Sequence, residues 1–187
     1  MIHREKRTIY IIFAIAIALI APIIVIFTPF TVGMIFYDNA DKIVFIPSPS
    51  SLGVYASAFI AASASLVIIY FLQKRILKIA VGILAIVAFL FLFVSGTKSY
   101  IYIDKEFIES SHGLKGQKQY TWEEITQLDL TKKTVGRERE DHIIFIFNDQ
   151  YKLSILVDGV VNYHVEGQIV ERAQKFNIPV NQIIVND

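Results

Sequence analysis

The chain has 187 residues, 54% of them hydrophobic and 19% charged, with a formal net charge of +1 at pH 7 and no cysteine. Soluble domains average about 45–50% apolar and about 25% charged residues, so this composition points to a membrane protein, and the missing cysteine excludes disulfides, thiolate metal sites and thiol nucleophiles. The net charge conceals a split: residues 97–187 hold 11 Lys and Arg against 14 Asp and Glu, net −3, and the other residues hold 7 against 3, net +4, which leaves the C-terminal half without the basic face that nucleic acid requires.

Arg4, Lys6 and Arg7 make a basic start, and Thr8–Tyr37 follows without a charge. A basic start and an apolar run are also the first two parts of a signal peptide. Here the run far exceeds an h-region, and the small pair Ala16 and Ala18 lies inside it with no polar segment after. Thr8–Thr28 therefore reads as a retained span, with tilt accommodating an extension to Phe36. Pro22 is expected to kink it and Pro29 to end its regular part. Asp38–Lys42 reads as a polar turn, Ile43–Ile46 as a short extended piece, and Pro47–Ser51 as an interhelical loop before it reads as a phosphorylation or binding segment.

Gly53–Leu72 is twenty residues with no charge, and Ile76–Ser95 is apolar except for Lys78. At about 1.5 Å per residue, each stretch crosses the roughly 30 Å hydrocarbon core of a bilayer. The elbow Gln73-Lys74-Arg75 is too short to hold a domain, so the two spans are expected to lie antiparallel. Gly53, Ser57, Ala61 and Ser65 recur every four residues, and small residues at that spacing let helices approach closely in lipid. Ser57, Ala61 and Ser65 are thus candidate helix-packing positions, within one three-helix bundle or on a dimer face. Ala80, Gly82, Ala85 and Ala88 offer the same in the third span.

No Asp, Glu, His, Lys or Arg lies deep inside any span. Transporters, pumps and proton relays place such groups, or broken helices, at the midplane. The chain reads as an anchor and not as a conduit. Arg4, Lys6, Arg7, Lys74, Arg75 and Lys78 flank one set of span ends, against Lys42, Lys98 and Lys105 at the other. The positive-inside rule then sets the N-terminus in the cytoplasm and residues 97–187 outside, on a multi-pass protein of the cell membrane.

From Lys98 the hydrophobic period changes to two. Tyr100–Ile103, the turn Asp104-Lys105-Glu106 and Phe107–Ser111 read as a β-hairpin. Gly113–Gly116 is a turn, Gln117–Trp122 a strand, Glu123–Ile125 a brief helical turn and Leu128–Leu130 extended, while Lys132–Asp141 reads as a charged loop. His142–Phe147 and Tyr151–Val157 form a hairpin joined by Asn148-Asp149-Gln150. Val165, Ile169, Ala173 and Phe176 fall at helical spacing. Asn162–Phe176 is then an amphipathic helix capped by Asn162 and stopped by Asn177 and Pro179, with Val180–Val185 a last extended segment.

The hairpin Tyr100–Ile108, the glycine-containing turn, Tyr120-Thr121-Trp122-Glu123-Glu124-Ile125, two more strands and one closing helix resemble the bacterial pleckstrin-homology-like (PH-like) domains. The resemblance covers residues 97–185, and the Trp-Glu-Glu-Ile element is its most specific part. It implies a partly open β-barrel or curved antiparallel sheet plugged by a helix, a binding or scaffolding role, and no catalytic set. The expected fold is thus an α+β membrane protein: a transmembrane region over 1–96, with spans at 8–28, 53–72 and 76–95, then a PH-like region over 97–187 with its helix at 162–176.

Candidate chemistry is sparse. His3, His112, His142 and His164 show no metal-ligand spacing, and Asp141-His142 lacks a nucleophile elbow. Gly113–Gly116 is followed by no Gly-Lys-Ser/Thr. Lys132, Lys133, Arg137 and Arg139 form the candidate ligand-binding cluster, suited to phosphorylated lipid headgroups, although Glu138, Glu140 and Asp141 partly cancel it and a solvated loop is the other reading. Trp122 reads as a core residue before an interfacial anchor. The aromatic set from Tyr100 to Phe176 reads as core and sheet surface before it reads as a ligand pocket. No catalytic, metal or cofactor site is expected. The function expected is non-enzymatic binding of a protein, peptide or lipid headgroup at the bilayer surface, which by analogy with the family serves envelope stress, resistance or immunity. The alternative is an accessory subunit, or a homo-oligomer, acting through its helices.

Overall fold

A computed structural model describes residues 2–113, 116–135 and 138–186, and all their side chains except those of 2–7, 133–135, 138–139, 185 and 186. The protein is α+β, with three long apolar helices in its N-terminal half and two four-stranded sheets. Helix α1 runs Ile2–Phe36, α2 Pro49–Phe71 and α3 Arg75–Thr97. Each is long and apolar enough to cross a membrane, over Thr8–Phe36, Pro49–Phe71 and Arg75–Thr97.

All three exceed the spans expected from hydropathy. A helix continues wherever its backbone hydrogen bonds have no better partner, a pressure that is strongest in an apolar setting. Pro29 accordingly does not end α1, which carries both Pro22 and Pro29 in its interior. Around Pro29, Thr28 Oγ1 donates to the Ile24 carbonyl at 2.7 Å and Thr31 Oγ1 to the Phe27 carbonyl at 3.0 Å. These hydroxyls add hydrogen bonds where a proline ring disturbs the ladder. Pro49 sits in the first turn of α2, where a missing N–H costs nothing.

Helix α2 packs against both α1 and α3. Its seam with α3 is aromatic: Tyr55 meets Phe93 at 5.2 Å between ring centroids and Phe59 meets Phe89 at 5.3 Å. That register is antiparallel, as the short elbow requires. Tyr55 is 1% exposed and lies over Gly96, where a Cβ would fall 2.7 Å from its ring. The four-residue stripe divides differently: Gly53 and Ser57 are exposed, Ala61 and Ser65 are half-buried, and the adjacent Ala58 is fully buried. Ser57 and Ser65 donate to the Gly53 and Ala61 carbonyls of their own helix, at 2.8 and 2.7 Å.

Strands β1 (Lys42–Pro47), β2 (Ser99–Asp104), β3 (Phe107–His112) and β4 (Gln117–Thr121) form one sheet in that order. Strands β5 (Ile125–Val135), β6 (Glu138–Phe147), β7 (Lys152–Val157) and β8 (Val180–Asn186) form the second, ordered β7-β6-β5-β8. Among the described residues no barrel is closed. The short extended piece at Ile43–Ile46 belongs to β1 and pairs with β2. Helix α4 (Tyr163–Lys175) links β7 to β8 and returns the chain so that β8 runs parallel to β5, Leu128 opposite Val180. The second sheet is therefore mixed and not antiparallel throughout, because a helical crossover permits a parallel neighbour.

Of the charged loop expected at Lys132–Asp141, Lys132–Val135 belong to β5 and Glu138–Asp141 to β6, and positions 136 and 137 lie outside the described residues. The β5–β6 register sets Lys132 opposite Asp141 and Lys133 opposite Glu140. Opposite charges across a ladder favour pairing, so a run that reads as solvated loop by hydropathy is strand by cross-strand complementarity.

The chain divides into two compact units that interleave in sequence. One comprises Met1–Phe36, Pro47–Tyr100 and Ser111–Gly116, the other Tyr37–Ile46, Ile101–Ser110 and Gln117–Asp187. The second unit has an ordinary hydrophobic core, in which Ile103, Ile108, Leu128, Ile143, Phe145 and Ile169 are fully buried. Trp122 is also 0% exposed and opens a single 3-10 turn, Trp122–Glu124, closed by a capping box between Thr121 and Glu124. It is a core residue, with Phe145 edge-on at 6.3 Å and Phe176 stacked at 6.4 Å. Asn162 Oδ1 caps α4 by accepting from the His164 and Val165 amides at 3.0 and 3.1 Å. Asn177, at φ +56°, ends it.

Candidate functional site

The most organised polar feature of the second unit is built on the turn Asp104-Lys105-Glu106. Asp104 Oδ1 accepts from the Glu106 and Phe107 amides at 2.7 and 2.8 Å, the self-bonding that suits Asp to tight turns. The buried Trp122 Nε1 donates to the Asp104 carbonyl at 3.0 Å. The Lys105 amide donates to the Asp41 carbonyl at 3.1 Å, tying this turn to the one before β1. Finally Arg172, from the last turn of α4, donates through Nη2 to the Lys105 carbonyl. Three separate segments thus hold one three-residue turn that also bonds to itself.

Arg172 holds its place for helical reasons. It follows the buried Ile169 by three residues and precedes Phe176 by four, so it flanks the stripe facing the core. Its guanidinium carbon lies 5.0 Å from the centre of the Phe176 ring, a cation–π position. Its Nε is buried without a hydrogen-bond partner among the described residues.

Beside Arg172 lies a polar cleft of about 280 Å³ lined by Lys42, Lys105, Gln168, Glu171, Arg172 and Lys175, with Ala40 and Ile43. Three of its cations are paired with carboxylates: Lys42 with Asp38 at 2.6 Å, Lys105 with Asp41 at 3.0 Å and Lys175 with Glu171 at 2.8 Å. The hydrogen bond from Lys175 holds the Glu171 carboxyl below its usual range. Arg172 is the cation of the cleft with no carboxylate partner among the described residues.

A second cluster joins β4 to the β6–β7 turn. Tyr120 stacks on Phe147 at 3.9 Å and donates to Asp149 Oδ2 at 2.8 Å, and Lys118 Nζ sits 4.1 Å from the centre of the Tyr151 ring. Burial, then the hydrogen bond to Asp149, pushes the Tyr120 hydroxyl up. The Tyr151 amide, then the Tyr120 hydroxyl, hold Asp149 down. Every polar group here is satisfied by a neighbour, which makes this a clasp closing the hairpin.

Of the residues singled out from sequence, Lys132 and Lys133 occupy consecutive positions of β5 and Arg139 pairs with Thr134. Arg137 and the side chains of Lys133 and Arg139 lie outside the described residues. Ser57, Ala61 and Ser65 all lie on α2. His142 Nδ1 lies 3.3 Å from Ser154 Oγ, and His164 Nε2 lies 3.3 Å from the Gln168 amide. Among the described residues no group of three or more His, Asp or Glu is placed to hold a metal. Sequence reasoning missed Arg172 as a site residue. Its signal was available: an arginine beside the apolar stripe of a helix, four residues before a phenylalanine.

No family model, curated protein or solved structure matches the chain. Its class therefore rests on its own architecture, that of an α+β protein with three helices long and apolar enough to cross a membrane.

Proposed function

We propose that this chain is a non-enzymatic, multi-pass membrane protein whose β-rich region, PH-like by its sequence, binds a ligand or partner at the bilayer surface. The observation that supports this reading most is that three apolar spans free of deep ionisable groups are joined to a region with its own core and a built polar cleft. Spans of that kind hold a protein in place and offer no polar path across. The N-terminus is then cytoplasmic and the β-rich region extracytoplasmic.

The alternative, an accessory subunit acting through its helices, draws on the outward exposure of Gly53 and Ser57. Photo-crosslinking residues introduced singly at Leu156 and Gln182, and at Ser57 and Leu84, separate the two in cells. Discrete products from the β positions alone support the binding module. Products from the helix positions alone support the subunit, and none from either set removes the subunit and any protein partner, leaving a small ligand for the β-rich region. Reactivity of Lys152→Cys toward an impermeant reagent in intact cells supports an extracytoplasmic β-rich region; labelling only after lysis reverses the orientation.

A further inference from the structure

We infer that the cleft beside Arg172 is a binding site for a phosphate monoester group. The inference rests on the reading of the β-rich region as a binding module and adds the ligand class and its residues. Arg172 is pre-set for the task. The Lys105 carbonyl and the Phe176 ring fix its guanidinium, so little side-chain freedom is lost when an anion arrives. Among the described residues it meets no carboxylate and its buried Nε has no acceptor.

The lysines decide between anions. Lys42, Lys105 and Lys175 already face Asp38, Asp41 and Glu171. A ligand carboxylate would exchange one single charge for another and gain little. A phosphate dianion offers twice the charge and three acceptor oxygens, and exposed ion pairs contribute little enough to be given up for it. The Gln168 amide supplies a further neutral donor at the cleft wall. At about 280 Å³ the cleft lies just below the usual range for drug-sized ligands, and admits a phosphate group rather than a whole nucleotide cofactor. The same chemistry is found in free phosphate and in a lipid whose headgroup is a bare phosphate.

The test uses the full chain in nanodiscs of phosphatidylcholine, titrated with inorganic phosphate against chloride at matched ionic strength, with the thermal unfolding midpoint as readout. Phosphate is expected to raise the midpoint of the wild type and of Lys132→Gln. Arg172→Gln should weaken the apparent affinity at least about ten-fold, with Arg172→Lys between. If Arg172→Gln does not fold, the double variant Lys105→Gln/Lys175→Gln carries the same expectation. A response undiminished in the variants that fold overturns the site.

Nanodiscs containing phosphatidate separate the sources. If they raise the wild-type midpoint and abolish the phosphate response, the lipid phosphate is the occupant. If the phosphate response persists unchanged, the occupant is soluble. A wild type indifferent to both probes overturns the site. If discrete crosslinks from Leu156 or Gln182 are found despite that result, the binding-module reading stands with a protein partner; if they are absent too, both readings fall.

Discussion

The helices and the β-rich unit use similar side chains to opposite ends. In the most apolar stretch of α3 no residue is buried within the protein, and Ile76, Leu84 and Ile86 stand open. In the β-rich unit Ile103, Ile143 and Ile155 are at most 1% exposed. Lipid is as apolar as isoleucine, so transferring that side chain between helices gains nothing, whereas hiding it from water is worth about 25 cal/mol per Å². The helices therefore cohere by shape, with Tyr55 laid over Gly96 and rings interleaved down one seam, and the β-rich unit by a filled core. What stabilises an aromatic residue depends on its solvent as much as on its neighbours.

That contrast can be broken at its strong end first. Phe145→Ala should cost the β-rich unit about 3–5 kcal/mol. The loss should show as an earlier urea transition in the near-ultraviolet signal of Trp122, while far-ultraviolet helix content persists through it. A single transition shared by both regions would mean they do not hold together independently. Gly96→Ala comes next, at about 1–3 kcal/mol from overpacking against Tyr55. It is measured by unfolding in mixed micelles of rising sodium dodecyl sulfate, and Tyr55→Leu in the same chain should recover part of the loss. If the double variant is worse than the sum of the two, shape at this seam is not the cause.

The smallest effect is in the clasp at Asp149. Its carboxyl lies below the ordinary value of 3.8. A depressed acid contributes stability that is present above its ordinary value and is lost as pH falls through its folded one. Lys118 and Tyr120 are both held above their ordinary values of 10.5 and 10.0, the first chiefly by its hydrogen bond to Tyr120 and the second by burial. Their contribution is present below about pH 10 and fades above it. Wild type should thus exceed Asp149→Asn in unfolding midpoint at pH 7, with the gap closing below pH 4. A gap constant with pH would assign it to something other than the carboxylate's charge.

Much of this was written locally. Twenty apolar residues, a two-residue period and the Asn162 cap each depend on neighbours within one turn or one strand, and each reads off the chain. What failed to read depended on distant partners. The ladder Lys132 to Asp141 looks like loop until the register places acid against base. Pro29 looks like a stop, yet α1 runs through it to Phe36, with Thr28 and Thr31 adding side-chain hydrogen bonds on either side. Arg172 and Lys105 are 67 residues apart, and nothing in either neighbourhood announces the other.

The pairing of β1 with β2 carries a consequence for how the chain is made. Strand β1 is synthesised between α1 and α2, but its hydrogen-bonding partner follows α3. At about 5–20 residues per second, the roughly fifty intervening residues keep β1 waiting some 3–10 s. With α2 and α3 as membrane spans, the proposed reading, the hairpin enters and returns during that interval, since an even number of crossings brings β2 to the side where β1 waits. On that reading, a chain that leaves β1 and β2 on opposite sides of a bilayer cannot pair them and keeps an open sheet edge.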